Sequence, residues 1–440
     1  MDADAIVIGA GAAGLAAARS LASRSLRVVL LEARDRVGGR VWSHVLARGA
    51  VAAELGAEFI HGPAAETRAL LRDAGTAAVD TGHESWVYSE GVELQHDERD
   101  FRSAAAIFEA ADKLQRDESV DQFLRRFEAD DKMRATADAA RLFVEGFEAA
   151  DPAVASVLAI ADEWRSGVDF AIARPLGGYH PMFERLRAEC AAAGVWSYLS
   201  TAVRRVSWRR GSVAVDAQSS YGESRTIRAR AAIVTLPVGV LRHRGDETEV
   251  VFEPDLPSAT RDALEKIEMG HVVRVGLWFR SAFWERLRDE RYRDSGFFRC
   301  QGQPFHVYWT QLPVRSELII AWAGGPKATA LSGASREEVI RCALDGFGAV
   351  FGERALAREE FEGAVMHDWG RDPFARGAYS YVTVGGRNAR GQLAAPIDDT
   401  LFFAGEATST DGQGGTVNGA LETGERAARE LAASLGGSAK

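Results

Sequence analysis

An α/β fold is predicted by three features of the sequence. A β-branched apolar run, AIVIG at residues 5–9, opens into Gly9-x-Gly11-x-x-Gly14 and a small-residue helix. A second apolar run, RVVLLE at 27–32, ends on an acid. The strand–glycine–helix pattern then returns near the C-terminus, in TLFFAGEA followed by TVNGALETGERAARELAASL. Together they predict a Rossmann-type domain assembled from distant stretches, joined to a second domain of mixed sheet plus helices.

Each element follows from its pattern. Continuous apolar runs at 5–9 and 27–32 read as parallel strands buried on both faces, and the whole strand–turn–helix–strand unit fits in about 30 residues. Residues 103–150 are rich in Ala, Glu, Arg and Leu, with Ile107, Leu114, Phe123, Leu124 and Phe127 at helical spacing, so a helical insertion is expected. From 195 to 240, WSYLSTAVRRVSW and SVAVDAQ read as antiparallel strands, and RARAAIVTLP as a buried strand ending at Pro237. HVVRVGLWFR (271–280) and ELIIAWA (317–323) predict a second sheet. The expected division is a cofactor domain of 1–74, 191–245 and 371–440, with a substrate domain of 75–190 and 246–370.

Composition narrows the function. Of the 440 residues, 46% are hydrophobic and 26% charged, which excludes a disordered or fibrous chain. The net charge of −10 disfavours nucleic acid as a partner. Cys190, Cys300 and Cys342 lie far apart, without the spacing of a disulfide framework or zinc site, so no metal is expected. No apolar run approaches the ~18 residues a membrane helix needs, and Met1-Asp2-Ala3-Asp4 lacks a positive leader region. A cytoplasmic protein without membrane partners is expected; the oligomeric state is open.

Three motifs carry chemistry. In the first, Gly9 permits a tight turn, Gly11 lets backbone approach a pyrophosphate, and Gly14 lets helix pack on strand. Glu32, eighteen residues after Gly14, is placed to bind ribose hydroxyls. The second, Arg34-Asp35-Arg36-Val37-Gly38-Gly39-Arg40 directly after Ala33, offers a backbone nest with a cation beside it, which shifts the expected cofactor from NAD to FAD. The third is Phe403-Ala404-Gly405-Glu406 with Gly414-Gly415-Thr416-Val417, where a helix start can face a flavin carbonyl and Glu406 can hold a ribityl or phosphate-bridging hydrogen bond.

With these motifs the chain resembles the flavin-containing amine oxidases: monoamine oxidases, polyamine oxidases and flavin histone demethylases. The resemblance extends to Glu54-Leu55-Gly56-Ala57-Glu58-Phe59-Ile60-His61-Gly62, to Thr235-Leu236-Pro237, to Trp369, and to Arg376-Gly377-Ala378-Tyr379-Ser380-Tyr381. It implies bound FAD, oxidation of an amine C–N bond by hydride transfer to flavin N5, release of an imine, and O2 as the acceptor, giving H2O2. It also implies that Gly56, Ala57 and Val203 border the cofactor, that Trp369 lies against the flavin, and that Tyr379 flanks the substrate amine.

The chain departs from the family pattern at four places. Ala378 stands where monoamine oxidases attach FAD through cysteine, so the flavin is expected to be non-covalent. Thr416 replaces a second cage tyrosine, leaving a half-open cage that suits a longer, polyamine-like substrate. Arg274 stands where the family has a lysine that holds a water at flavin N5; there are five lysines and none between Lys266 and Lys327. An arginine there can stabilise charge but does not readily become a neutral base. The fourth is that the Glu58–Phe59 segment lacks the arginine with which L-amino-acid oxidases clasp a carboxylate. The expected catalytic group is therefore Arg274, Tyr379, His61 as a proton carrier of near-neutral pKa, and Glu58 as the attractor of a second ammonium. The alternative is a dehydrogenase or desaturase on the same scaffold that uses another acceptor.

Overall fold

The computed structural model describes residues 1–44, 51–81, 84–89, 92–96, 106–165 and 172–437. A five-stranded parallel sheet has the spatial order Trp196–Tyr198, Val28–Leu31, Ala5–Ile8, Ala231–Val234 and Leu401–Phe403. Side-chain alternation sends its two faces to different cores. Val7, Leu30, Ile233 and Phe402 pack against the helices Ala12–Ala22, His180–Ala192 and Val417–Gly437. Ile6, Ile8, Val29, Leu31, Val234 and Phe403 pack against a four-stranded sheet made of 224–229, 212–219, 201–209 and 251–253. Strands covered on both faces must be apolar at every position, and those at 5–8, 28–31, 231–234 and 401–403 are; the edge strand Trp196–Tyr198 is partly exposed and carries Ser197.

Close helix packing needs two glycines. A Cβ on Gly14 would stand 1.8 Å from the Gly9 carbonyl oxygen, and one on Gly424 would stand 2.2 Å from that of Ala13. Gly14 sets the first helix on its strand, and Gly424 lets the long C-terminal helix cross it.

The second sheet is mixed and seven-stranded, in the order 361–368, 272–279, 318–324, 307–309, 295–300, 84–89, 92–96. Val273, Val275, Leu277 and Phe279 face the helix Arg336–Val350, which contributes Val339, Ala343 and Phe347 to their core. The opposite face carries Arg274, Trp309 and Trp322. Arg274 lies at mid-sheet, opposite Trp322 on one neighbour and His367 on the other. The expected helical insertion is present as the helices Val120–Leu124, Asp131–Gly146 and Val157–Arg165 with 3-10 turns; residues 103–105 of it lie outside the described residues.

Two expectations are corrected. The run from Trp196 does not form one antiparallel strand: Trp196–Tyr198 is the parallel edge, and the chain turns at Ser200 (φ +50°) before the antiparallel Thr201–Arg209. The buried strand before Pro237 ends at Val234, and Arg228 and Ala229 belong to the antiparallel sheet. Residues on the two sides of the expected boundaries at 190/191 and 245/246 pack together. Phe183, Leu186 and Cys190 share the core of the first helix, and Val250, Phe252, Leu264 and Ile267 share the core of the four-stranded sheet. Among the described residues no helix is long and apolar enough to cross a membrane.

Candidate active site

A cavity of about 590 Å³ runs between the two sheets. At one end it is bordered by Gly9, Gly11, Glu32, Ala33, Arg34, Gly38, Gly39, Arg40 and Val203. In the middle it meets Gly56, Ala57, Trp369, Gly405, Glu406, Thr416 and Val417, and at the far end Arg274, Glu58, His61 and Tyr379. Residues separated by up to four hundred positions are thus brought to one space. Gly14 is the exception: it lies behind the wall, against Gly9 and Thr235, where it shapes the turn.

The dinucleotide end is built from backbone. Gly11 and Gly38 form a parallel bridge, and a Cβ on Gly39 (φ +57°) would stand 3.4 Å from the Gly11 Cα. Arg36 does not face this space. It donates to the carbonyls of Val37 (3.1 Å), Gly39 (2.9 Å) and Val41 (2.9 Å), which folds the second loop around its guanidinium. Glu32 is buried and accepts from the amides of Ala10 (2.7 Å) and Arg34 (2.9 Å); burial pushes its carboxyl up while those two amides oppose the shift. Arg34 reaches Asp372 at 2.7 Å, and Asp372 in turn meets His367 Nε2 at 2.9 Å. Trp369 donates to the Leu55 carbonyl at 2.7 Å, which anchors its ring beside Gly56.

The glycine loop near 415 is clamped by charge. Glu406 Oε1 accepts from Arg40 (2.7 Å), and Oε2 accepts from Ser380 Oγ (2.6 Å) and the Gly415 amide (3.1 Å). Burial alone would raise its carboxyl, but the guanidiniums of Arg40 and Arg390 hold it below the usual range. These protein partners fix Glu406 where it borders the cavity. Arg40, the cation expected beside the nest, borders the cavity as well and is tied to Glu406 and to the Ala378 carbonyl at 2.9 Å. Thr416 Oγ1 donates to the Gln413 carbonyl (2.9 Å) and accepts from the Gly419 amide (2.9 Å), which starts the last helix.

The far end is aromatic and charged. Tyr379 donates its hydroxyl to the Phe147 carbonyl at 2.6 Å, and burial pushes the phenol well up, so it stays neutral. His61 meets the Phe147 ring edge-on at 4.9 Å, and Phe147 stacks on Phe143 at 4.7 Å. The expectation of a near-neutral His61 is corrected: burial among these rings pushes it down to about 4, so the imidazole is uncharged at neutral pH. Glu58 is corrected as well. Its carboxylate is ion-paired with Arg274 through Oε2, lies 3.5 Å from Arg174 through Oε1, and accepts from Trp309 Nε1 at 3.1 Å. With its charge met by arginines, it has none left for an ammonium. Arg274 also donates to the Gly56 carbonyl at 2.5 Å and lies over the Trp309 ring at 5.0 Å; burial pushes it down to about 9, still cationic at neutral pH.

Sequence reasoning missed Phe147, Glu148, Arg174, Trp309 and Trp322. Glu148 borders the cavity and accepts from Trp164 Nε1 at 3.0 Å. Burial and then the neighbouring Glu163 push it up to about 7. The one legible signal was Arg174, a charge inside the short apolar run AIARP.

Comparisons with known proteins agree with this geometry. The family model for flavin-containing amine oxidoreductases matches residues 12–432. Lysine-specific histone demethylase 1 homolog 1 of Oryza sativa subsp. japonica is 27% identical, over 97% of this chain and 52% of that protein. Polyamine oxidase 3 of the same organism is 28% identical, over 97% of this chain and 88% of that protein. The chain spans about half the length of the demethylase homologues it matches. Among solved structures, wild-type putrescine oxidase bound to putrescine superposes with a TM-score of 0.81 at 22% identity, covering 98% of this chain and 99% of that one. Cyclohexylamine oxidase from Brevibacterium oxydans IH-35A gives 0.80 at 22% identity, covering 99% of this chain and 100% of that one. At that identity the superpositions establish the fold.

Proposed function

The chain belongs to the flavin-containing amine oxidoreductases, and from that premise we propose that it oxidises a polyamine-like amine with O2 as acceptor. The observation that carries this reading is the single cavity joining the glycine turns to the Tyr379–Phe147–His61 wall.

The residues present fit FAD. Gly11 and Gly39 leave no side chain between backbone and cavity, Glu32 is fixed for ribose hydroxyls, and Ala378 has no thiol for a covalent bond. When bound, FAD accepts a hydride from the carbon that bears the amine. The chain does the rest. Tyr379, Phe147 and His61 exclude water, and a desolvated amine favours its neutral form, whose nitrogen lone pair can assist loss of the hydride. Arg274 offers a fixed positive charge at the reacting end. On this reading the organic product would be an imine, which water would hydrolyse to aldehyde and amine, and O2 with two protons would take the electron pair as H2O2. The proposed domain division keeps its outline, with residues 180–192 and 250–269 moved to the cofactor side by their packing.

Support for a second ammonium comes from Glu148. Among the described residues it forms no ion pair, and an acid held near 7 by burial would ionise fully on meeting a cation. A second reading, transfer to an acceptor other than O2, is favoured by Arg274, which is locked to Glu58 and does not act as a base. One experiment separates them. The purified holoenzyme is mixed anaerobically with spermine, spermidine, putrescine and phenylethylamine, then opened to air. Bleaching of the yellow colour by the polyamines with recovery in air supports the first reading; bleaching without recovery supports the second. A protein that no amine bleaches sinks both.

A further inference from the structure

One buried cation has no part in the steps above. Arg174, 7% exposed, lies in the strand Ile172–Pro175, which pairs with the strand carrying Ile60 and His61. Its Nη1 donates to the Thr310 carbonyl (3.1 Å) and to Gln311 Oε1 (3.2 Å), and its guanidinium lies 5.1 Å over the Phe59 ring. Its Nη2 is 3.5 Å from Glu58 Oε1, while Arg274 takes Oε2. Trp309 joins the three, with Nε1 at 3.1 Å from both Glu58 oxygens and its ring 5.0 Å from the Arg274 guanidinium. Two arginines on different sheets therefore hold one carboxylate, one oxygen each.

A buried Arg–Glu–Arg row is a poor way to stabilise a fold, because apolar side chains of similar volume often do as well or better. What it supplies is direction. With only Arg274 and the shared Trp309 donor as partners, which leave Oε1 without a cation, the Glu58 carboxylate could rotate about its last bond and let the guanidinium swing with it. Arg174 pins the far oxygen, and the backbone carbonyl of Thr310 pins Arg174.

We propose that Arg174 is a positioning residue for the amine oxidation: it holds Glu58 so that Oε2 stays turned to Arg274 and the Arg274 guanidinium stays at the cavity wall. This rests on the reading of Arg274 as the fixed charge at the reacting end of the flavin site. Arg174 is too far behind Glu58 to be a catalytic residue, and its effect must pass through Arg274.

The test compares holoenzymes of the wild type, R174K, R174M, R274M and the R174M/R274M double variant. Two quantities are read: the midpoint potential of the bound flavin and the rate of anaerobic bleaching by saturating amine. R174M is expected to slow bleaching on the order of ten- to a hundredfold and to shift the potential in the same direction as R274M. R174K falls between R174M and wild type, since an ammonium keeps the charge but not the fork. The double variant is no slower than R274M alone, because the two act in series. A wild-type potential and rate in R174M, or losses that multiply in the double variant, overturn the proposal. If R174M does not fold, Glu58→Gln takes its place, keeping size and the Trp309 contact while removing the charge; a wild-type potential there also overturns it. A wild-type protein that binds no flavin would sink the underlying reading instead, and would show itself before any variant is made.

Discussion

Arg274 and Glu58 form an ion pair at the edge of the cavity, with side chains only 2% and 3% exposed. Arg274 comes from the middle of the seven-stranded sheet, and Glu58 from the stretch after Gly56. The pair therefore joins the seven-stranded sheet to the stretch after Gly56 at the cavity, and Arg274, pushed down to about 9 by burial, stays cationic there at neutral pH.

Breaking that pair leaves a buried charge with weaker partners: Glu58 keeps Arg174 at 3.5 Å and the Trp309 donor, and Arg274 keeps the Gly56 carbonyl. Arg274→Met is expected to destabilise the protein by up to about 3 kcal/mol, seen as a lower midpoint in urea unfolding. Arg274→Lys keeps the charge and is expected to be milder. It should also speed recovery of the bleached flavin in air, measured by stopped flow; an unchanged rate means residue 274 does not face the ring.

Glu148 makes amine binding pH-dependent. Its carboxyl is raised to about 7, so below that value the free site is protonated and neutral, and above it anionic. Affinity for a diamine should rise as pH climbs through about 7 and level off above. Glu148→Gln should abolish that rise and raise KM for diamines about tenfold, with a much smaller change for phenylethylamine. The same raised carboxyl sets a stability trend of opposite sign. The folded state binds the proton more tightly than the unfolded one, so this group's contribution falls between the ordinary carboxylate range and 7 and is constant above.

Gly14→Ala places a methyl group 1.8 Å from the Gly9 carbonyl oxygen, which is backbone and cannot step aside. The first helix must shift off its strand and the phosphate-facing turn with it. The variant is expected to purify without yellow colour, checked by absorbance and by thermal midpoint with added FAD.

Tyr379→Phe removes the donor to the Phe147 carbonyl and leaves the ring in place. A stability loss of about 1 kcal/mol is expected with bleaching rates within a few-fold of wild type, whereas Tyr379→Ala opens the wall and should lower the rate far more. Equal rates for Phe and Ala would remove the ring from the reaction.

The sequence made the cofactor end legible because glycines, a terminal acid and strand runs are local signals with local causes. Gly9, Gly11, Gly39 and Glu32 all reach the cavity. The reacting end was legible only in its residue types. Which partner Glu58 takes depends on strand 272–279 lying opposite it, and the low pKa of His61 depends on Phe147 arriving from the helical insertion. Trp309 and Trp322 carry no distinguishing signal, since the face of a sheet that lines a cavity has the same two-residue period as one that lines a core. The edge strand Trp196–Tyr198 was misread for a related reason: three residues carry too little pattern to show direction.

The five-stranded sheet has a consequence for how the cleft is assembled. Its order places Leu401–Phe403 directly beside Ala231–Val234, and the helix Val417–Gly437 lies across the helix Ala12–Ala22. Until the stretch 401–437 has docked on the stretch 5–31, the nucleotide fold lacks an edge strand and the clamp at Glu406, so neither stretch presents a finished cleft by itself.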